Sequence, residues 1–307
     1  MQDEQPKCID FLKWRAWTAG LSGALCLAGL ISLVVQGLNL GLDFTGGTVV
    51  ELGFRQEVQT ATVSEQLAKV GFESASVVHF GSERDVLVRL PPSEGATVGQ
   101  QVLAAVGGAE VATLKRTDVV GAQIGDELRD QGGLALLLSF VLVAAYVAMR
   151  YEWKLATGAI VAIFHDVLVT VGLFSLFQWE FDLAALAAVL SLVGYSINDT
   201  IVIYDRIREN FRKMRRVDRF TVCNVSLTQT LGRTITTSAL TQLVVVAMLV
   251  AGGPQLQGFS LAMFVGIIAG SYSTIYIASA FSLWLGLDRK DLLLPAKEDE
   301  KALAETP

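Results

Sequence analysis

Charge is what this 307-residue sequence has least of. Asp, Glu, Lys and Arg make up 18% of it, against about 25% in soluble domains, and 52% is hydrophobic. The apolar residues gather in long blocks, and about 18 or more in a row is what a ~30 Å hydrocarbon core requires of a helix. A soluble globular class is therefore excluded, and a polytopic membrane protein with one inserted polar domain is expected. No Gly-Lys pair occurs anywhere, so the phosphate loop ending in Gly-Lys-Ser/Thr is excluded, and ATP hydrolysis by that route with it. Cysteine is limited to Cys8, Cys26 and Cys223, none in the polar domain, which removes a disulfide framework. Neither a metal-ligand cluster nor a nucleophile–base set stands out, so the expectation is no metal, no organic cofactor, no nucleic-acid partner and no enzyme. The net charge of −6 says little, because acid and base are segregated along the chain.

What is present is six apolar blocks, near Trp17–Val35, Gly132–Met149, Leu155–Phe177, Leu183–Tyr204, Ile235–Ala251 and Leu261–Leu285. Positive charge orients them. Lys7, Lys13 and Arg15 precede the first span. Arg150 and Lys154 separate the second and third. Arg206, Arg208, Arg212, Lys213, Arg215, Arg216 and Arg219 follow the fourth, and Arg289 and Lys290 the sixth. With six spans all of these fall on one side. Both termini are thus expected in the cytoplasm and residues 39–128 outside it. The domains are read as 1–38, an N-terminus and first helix; 39–128, the outer domain; 129–287, the remaining five helices; and 288–307, a tail. Within the third of these, 205–232 reads as a basic amphipathic segment lying at the cytoplasmic interface, with Phe220, Cys223, Leu227 and Leu231 on one helical face.

From Thr48 to Gly121 the periodicity changes. TVVELGF, ASVVHFG, DVLVRL and AEVATLKRTDVVG read as strands; TATVSEQLAKVG and TVGQQVLAAVGG read as helices; Gly81–Arg84 and PPSEG read as turns. The order βαββαβ is the ferredoxin-like split pattern, an α+β domain between the first and second helices. His79 reads as a strand surface residue. The stretch NLGLDFTGGTVVEL just before is read as a joint between membrane and domain. Gly46 and Gly47 permit backbone angles closed to other residues, and Asp43 can accept local N–H groups at the turn.

Ionisable residues inside the spans are costly, at least ~2.5–3.5 kcal/mol on insertion scales, and usually face protein or a water path. His165 and Asp166 fall about 16 Å into the third span and Asp199 about 24 Å into the fourth. Arg233 opens the fifth from the cytoplasmic side, so an ion pair between Asp199 and Arg233, direct or through water, is expected. Ser191, Tyr195, Asn198 and Asp199 share helical spacing with one another, as do Arg233, Thr237 and Thr241. Gly158, Ala162, Asp166 and Thr170 step by four, and Gly266 and Gly270 form a GxxxG. On residue chemistry alone, both pairs could equally be static packing contacts.

GLDFTGG, the His165–Asp166 dyad, GYSINDTIVIYDRIRENFRK (Gly194–Lys213), SLTQTLGRTITTS (Ser226–Ser238) and GFSLAMFVGIIAGSYSTIYIASA (Gly258–Ala280) together resemble the SecD/SecF family of protein-export membrane subunits, the SecF branch in particular. These are relatives of the RND transporters. The resemblance covers nearly the whole chain in order, short of the acidic tail. It implies half of an RND-type core, and Gly41, Asp43, Phe44, Gly46 and Gly47 as the motif after the first helix. It also implies Asp199 and Arg233, with Asn198, Asp166 and His165, as a proton-coupling set. Implied partners are a SecD-like subunit as heterodimer, the Sec channel (SecYEG), a YajC-like small membrane subunit, exported polypeptides and the bilayer. The implied setting is a bacterial inner membrane, with protons as coupling ion. Three rivals stand beside this reading: a small-molecule exporter of the RND class, a passive translocon scaffold, and an intramembrane aspartyl protease using Asp166 and Asp199, although the GxGD of that class is absent.

Overall fold

A computed structural model describes residues 8–80, 82–91 and 97–292. Lys7, Gly81, the proline loop from Pro92 and the tail from Leu293 lie outside the described residues. A 3-10 turn, Phe11–Trp14, leads into α1 (Arg15–Val35). The chain continues through β1 (Asn39–Leu40), the single turn α2 (Leu42–Thr45), β2 (Gly47–Phe54), α3 (Thr60–Ala68), β3 (Ser76–Phe80), β4 (Ser82–Leu90), α4 (Val98–Ala105) and β5 (Ala112–Val120). Then come α5 (Ala122–Arg150), α6 (Trp153–Phe177), β6 (Glu180–Phe181), α7 (Leu183–Lys213) and α8 (Arg219–Ala251). The last span is α9 (Gln257–Ser273) and α10 (Ser279–Trp284), joined without a break by a π turn at Thr274–Ala278, and α11 (Arg289–Leu292) follows. Among the described residues, six helices are long and apolar enough to cross a membrane.

The head domain is the ferredoxin-like one. Its antiparallel sheet runs β3-β4-β2-β5, with α3 and α4 as the two crossovers. Alternation sorts the side chains by face. Val50, Leu52, Phe54, Val86, Val88 and Leu90 meet Val63 and Leu67 of α3 and Val98 and Val102 of α4 in one small core. The opposite face, with Val49, Glu51, Leu87, Arg116 and Asp118, looks across a cavity of about 640 Å³ toward Asp43, Glu180, Asp182 and Gln255 at the end of the bundle.

In the bundle, α6, α7 and the last span form the packed centre. About half of the most apolar 18-residue stretch of each is buried, against 17% of that stretch in α1 and 11% in α5 and α8. The outer three therefore leave wide faces for lipid or another chain. Helices that share an apolar solvent need close contact and hydrogen bonds to associate, and glycine supplies the contact. A Cβ on Gly29 of α1 would lie 3.0 Å from Gly172 Cα of α6, and one turn on the Ser32 and Ser175 hydroxyls bond at 2.8 Å. Gly266 and Gly270, the expected GxxxG, lie against Leu192 and Ser196 of α7.

The basic segment corrects the sequence reading. It is no separate helix on the interface: Asp205–Lys213 continues α7 and Arg219–Gly232 is the first part of α8. Asp218 caps α8 by accepting the Phe220 and Thr221 N–H groups at 3.0 Å each. Asn210 ties the hairpin by donating to Ser226 Oγ and Gln229 Oε1, both at 2.8 Å. The face taken for a membrane-binding stripe is core, with Val222, Cys223 and Leu227 buried against Phe211 and Ile207.

Candidate functional site

The glycine motif meets four elements at once. Asn39 and Leu40 pair in parallel with Glu180 and Phe181, so the exit of α1 is laced to the link between α6 and α7. Gly41 N–H donates to Phe181 O at 2.9 Å, and Phe44 stacks on Phe181 with ring centres 6.2 Å apart. Gly46 (φ 65°) and Gly47 (φ 126°) both take left-handed backbone. A Cβ on Gly46 would come within 2.7 Å of Ala122 Cα at the start of α5, and one on Gly47 within 2.5 Å of Leu90 O in β4. Glycine is thus required twice over, by angle and by space.

Asp43 does something other than the local turn expected. Its carboxylate accepts the N–H of Leu183, 140 residues away, at 2.9 Å. Leu183 opens α7, whose N-cap Asp182 accepts Ala185 N–H at 2.7 Å. Two carboxylates therefore satisfy the unpaired N–H groups of that helix end, where its dipole favours negative charge. A second tie, the Arg89–Glu180 salt bridge, joins β4 of the head to the same link. Burial pushes the Glu180 carboxyl above its ordinary pKa, against the opposing pull of Arg89. Burial does the same for Asp182. Neither Arg89 nor Glu180 stands out in sequence, since a lone charge in a strand or short link carries no spacing signal.

Within the bundle the predicted polar residues separate into two groups. Asp166 is fully buried and fully engaged. Its Oδ2 accepts from Ser196 of α7 at 2.5 Å and Ser273 of α9 at 2.8 Å, and its Oδ1 lies 3.0 Å from His165 Nδ1. Gly158, Ala162, Asp166 and Thr170 all lie on the buried side of α6, as their spacing predicts. The seam continues through Thr200–Thr274 at 3.2 Å, and Tyr204 donates to Ala278 O at 3.1 Å. Ser196, Thr200, Ser273 and Thr274 are the residues sequence reasoning missed. The available signal was hydroxyls spaced three or four apart, one position round α7 from the stripe named.

Asp199 is also buried, at 5% exposure, but no hydrogen bond reaches its carboxylate among the described residues. The expected direct ion pair is absent too. Arg233 is exposed and has no carboxylate within 4 Å among the described residues, because α8 turns it outward while Thr234 faces in. Asn198 and Ser191 are likewise exposed on α7. Tyr195 OH lies 3.5 Å from the Ser238 and Thr241 hydroxyls of α8. Asp199 thus stands on the border between the sealed interior and an open polar face made by α7 and α8. No hydrogen bond joins Asp166 to Asp199 among the described residues.

At the far end, the basic residues mostly stay local. Arg206 and Lys213 both hold Glu209, at 2.7 and 2.5 Å, and Arg208 lies 3.4 Å from Glu152 and over the Tyr151 ring. Arg212, Arg215 and Arg216 are exposed.

The geometry can be set beside known proteins. A family model for the SecD/SecF protein export membrane protein, C-terminal region, matches residues 100–288, and one for the SecD/SecF GG motif matches residues 31–58. The protein translocase subunit SecF of Pseudomonas aeruginosa is 48% identical over 95% of this chain and 96% of its own length. That of Escherichia coli O157:H7 is 44% identical over 96% of this chain and 94% of its own. The crystal structure of SecDF, a translocon-associated membrane protein from Thermus thermophilus, aligns with a TM-score of 0.84 at 35% identity, covering 94% of this chain and 40% of the solved one. The identity, the span of the match and the shared fold agree: the chain belongs to the SecD/SecF family of protein-export membrane proteins.

Proposed function

We propose that this chain is an accessory subunit of the Sec protein translocase, using the proton motive force together with a SecD-like partner to complete export of polypeptides across the inner membrane. Asp199 is the observation that carries the coupling half of this reading. A carboxylate that is buried yet accepts no hydrogen bond among the described residues can change charge without dismantling a network. Arg233 keeps its charge throughout. A proton crossing the membrane gains about 2.3 kcal/mol per 100 mV, enough to shift a helix pair between two arrangements.

The joint supplies the transmission. Asp199 rides on α7, and the first N–H of α7 is held by Asp43 of the glycine motif. That motif runs directly into β2 of the head. Movement of α7 on protonation is passed to the head, which grips the emerging polypeptide and limits its return. The open polar face of α7 and α8 supports the partner. Lipid would leave Arg233 and Asn198 unsatisfied, so another protein surface belongs there, and a six-helix subunit of the same plan fits. The channel (SecYEG) and a YajC-like subunit belong to the same proposal, as do cytoplasmic termini and a periplasmic head.

Asp199→Asn is the test. The variant chain is expected to accumulate and to bind its partner normally. The proton-driven stage of export should fall to the level of a strain lacking the subunit. Export at full rate would instead favour a passive scaffold. The protease alternative is disfavoured because both oxygens of Asp166 are already occupied.

A further inference from the structure

A groove at the basic end of the bundle has a chemistry that the export reading does not use. It lies between the start of α1, the start of α8 and the last turns of the final span, with a volume of about 610 Å³. Its floor and walls are apolar, from Ala16, Ala19, Ile277, Ala280 and Trp284. Two guanidiniums close one end. Arg15 and Arg219 both stack on the Phe220 ring, 4.8 and 5.3 Å from its centre. Arg15 makes one hydrogen bond, to Leu12 O at 3.3 Å. Neither arginine has a carboxylate within 4 Å among the described residues. By contrast Arg150, Lys154, Arg206 and Arg208, at the same end, each pair with one.

The level of the groove is set independently. Trp14, Trp17, Trp153 and Trp284 are all more than half exposed, and all sit where spans begin or end on this side. Exposed tryptophans at span ends mark the headgroup region of a bilayer. The groove therefore offers two fixed positive charges at headgroup depth above an apolar slot that opens along the acyl region. Basic pockets between helices at this depth suit phosphate-bearing lipid heads, and guanidinium is the side chain best matched to phosphate oxygens.

We propose that this groove is a binding site for one anionic phospholipid, its phosphate held between Arg15 and Arg219 and an acyl chain lying along Ala16, Ala19 and Ala280. The bound lipid fastens α1 to the end of the last span, where few direct polar contacts do so. The site depends only on the chain being in a membrane and is independent of proton coupling.

Native mass spectrometry of the full chain, purified in mild detergent with the subunits that accompany it, tests this after exchange into phosphatidylglycerol or phosphatidylcholine. Wild type should retain phosphatidylglycerol at least tenfold over phosphatidylcholine. Arg15→Gln with Arg219→Gln should abolish that preference, while Arg212→Gln with Arg216→Gln should leave it intact. Should the double arginine variant fold poorly, Ala19→Trp fills the slot and keeps both charges, and it too should expel the lipid. Equal retention of the two lipids, undiminished retention in the groove variants, or cross-linking of Ala16→Cys to a protein chain would overturn the assignment.

Discussion

Asp166 and Asp199 are both carboxylates buried near the middle of the bundle, yet their surroundings are opposite. Asp166 is enclosed by three helices and saturated by two serines and a histidine. Asp199 has no hydrogen-bond donor among the described residues and borders an open polar face. The two differ in the number of donors around them and not in being buried, and on the reading proposed above it is the undersatisfied one that changes charge. Satisfied polar networks in low dielectric specify packing, whereas an unsatisfied ionisable group is tolerated where its protonation is used.

The sharpest way to break this comparison is to remove each carboxylate. Asp166→Ala should orphan Ser196 and His165 and leave Ser273 only the Gly270 carbonyl, costing roughly 3 kcal/mol, the scale of losing a charge-assisted group from a buried network. Thermal unfolding in detergent would show it, and the chain should accumulate poorly. Asp199→Asn should move stability by less than about 1 kcal/mol, since no hydrogen bond is lost, while removing the proton-dependent gain in export. If Asp199→Asn unfolded the chain as badly as Asp166→Ala, the distinction between the two sites would collapse.

The joint should respond less strongly. Asp43→Ala removes one of the two caps on α7, worth about 1 kcal/mol, and hydrogen exchange at the Leu183 amide should accelerate about fivefold at that energy. Asp43→Asn, which keeps an acceptor, should restore most of the protection. The smallest effect belongs to Glu180. Its carboxyl is raised by burial, so the folded chain holds that proton more tightly than the unfolded one. Its contribution is present at low pH and lost as pH rises through the folded value. Glu180→Gln should therefore flatten the fall in melting temperature between the ordinary carboxylate range and neutrality. A fall unchanged in the variant would assign the pH dependence to other groups, Asp182 first.

Much of this was legible from residues. Helix lengths, the βαββαβ order and the buried stripe through Gly158, Ala162, Asp166 and Thr170 follow from periodicity, because each is a local property of one segment. What was not legible depends on contacts between distant segments. Asp43 looked like a turn residue because its partner, Leu183, is 140 positions away. Arg233 looked like the counter-charge of Asp199 because depth can be counted from a helix end. The rotation that turns Arg233 outward is set by how α8 packs, with Thr234 facing in. The Phe220–Leu231 face misled because an amphipathic helix against membrane and one against protein share the same pattern.

The π turn at Thr274–Ala278 has a consequence for what the last span tolerates. A π turn carries one residue more than an α turn, so Ser279–Trp284 sit about 100° back from where an unbroken α-helix would place them. That rotation is what brings Ser282 to the Tyr204 hydroxyl, at 3.2 Å, and Trp284 to the outer surface. Deleting a single residue within the turn would restore ordinary winding and leave every later side chain on its present neighbour, whereas a deletion between Ser279 and Trp284 would swing the remaining side chains round by about 100°. The membrane segment ending at Trp284 should therefore tolerate the loss of one residue inside the turn far better than the same loss beyond it.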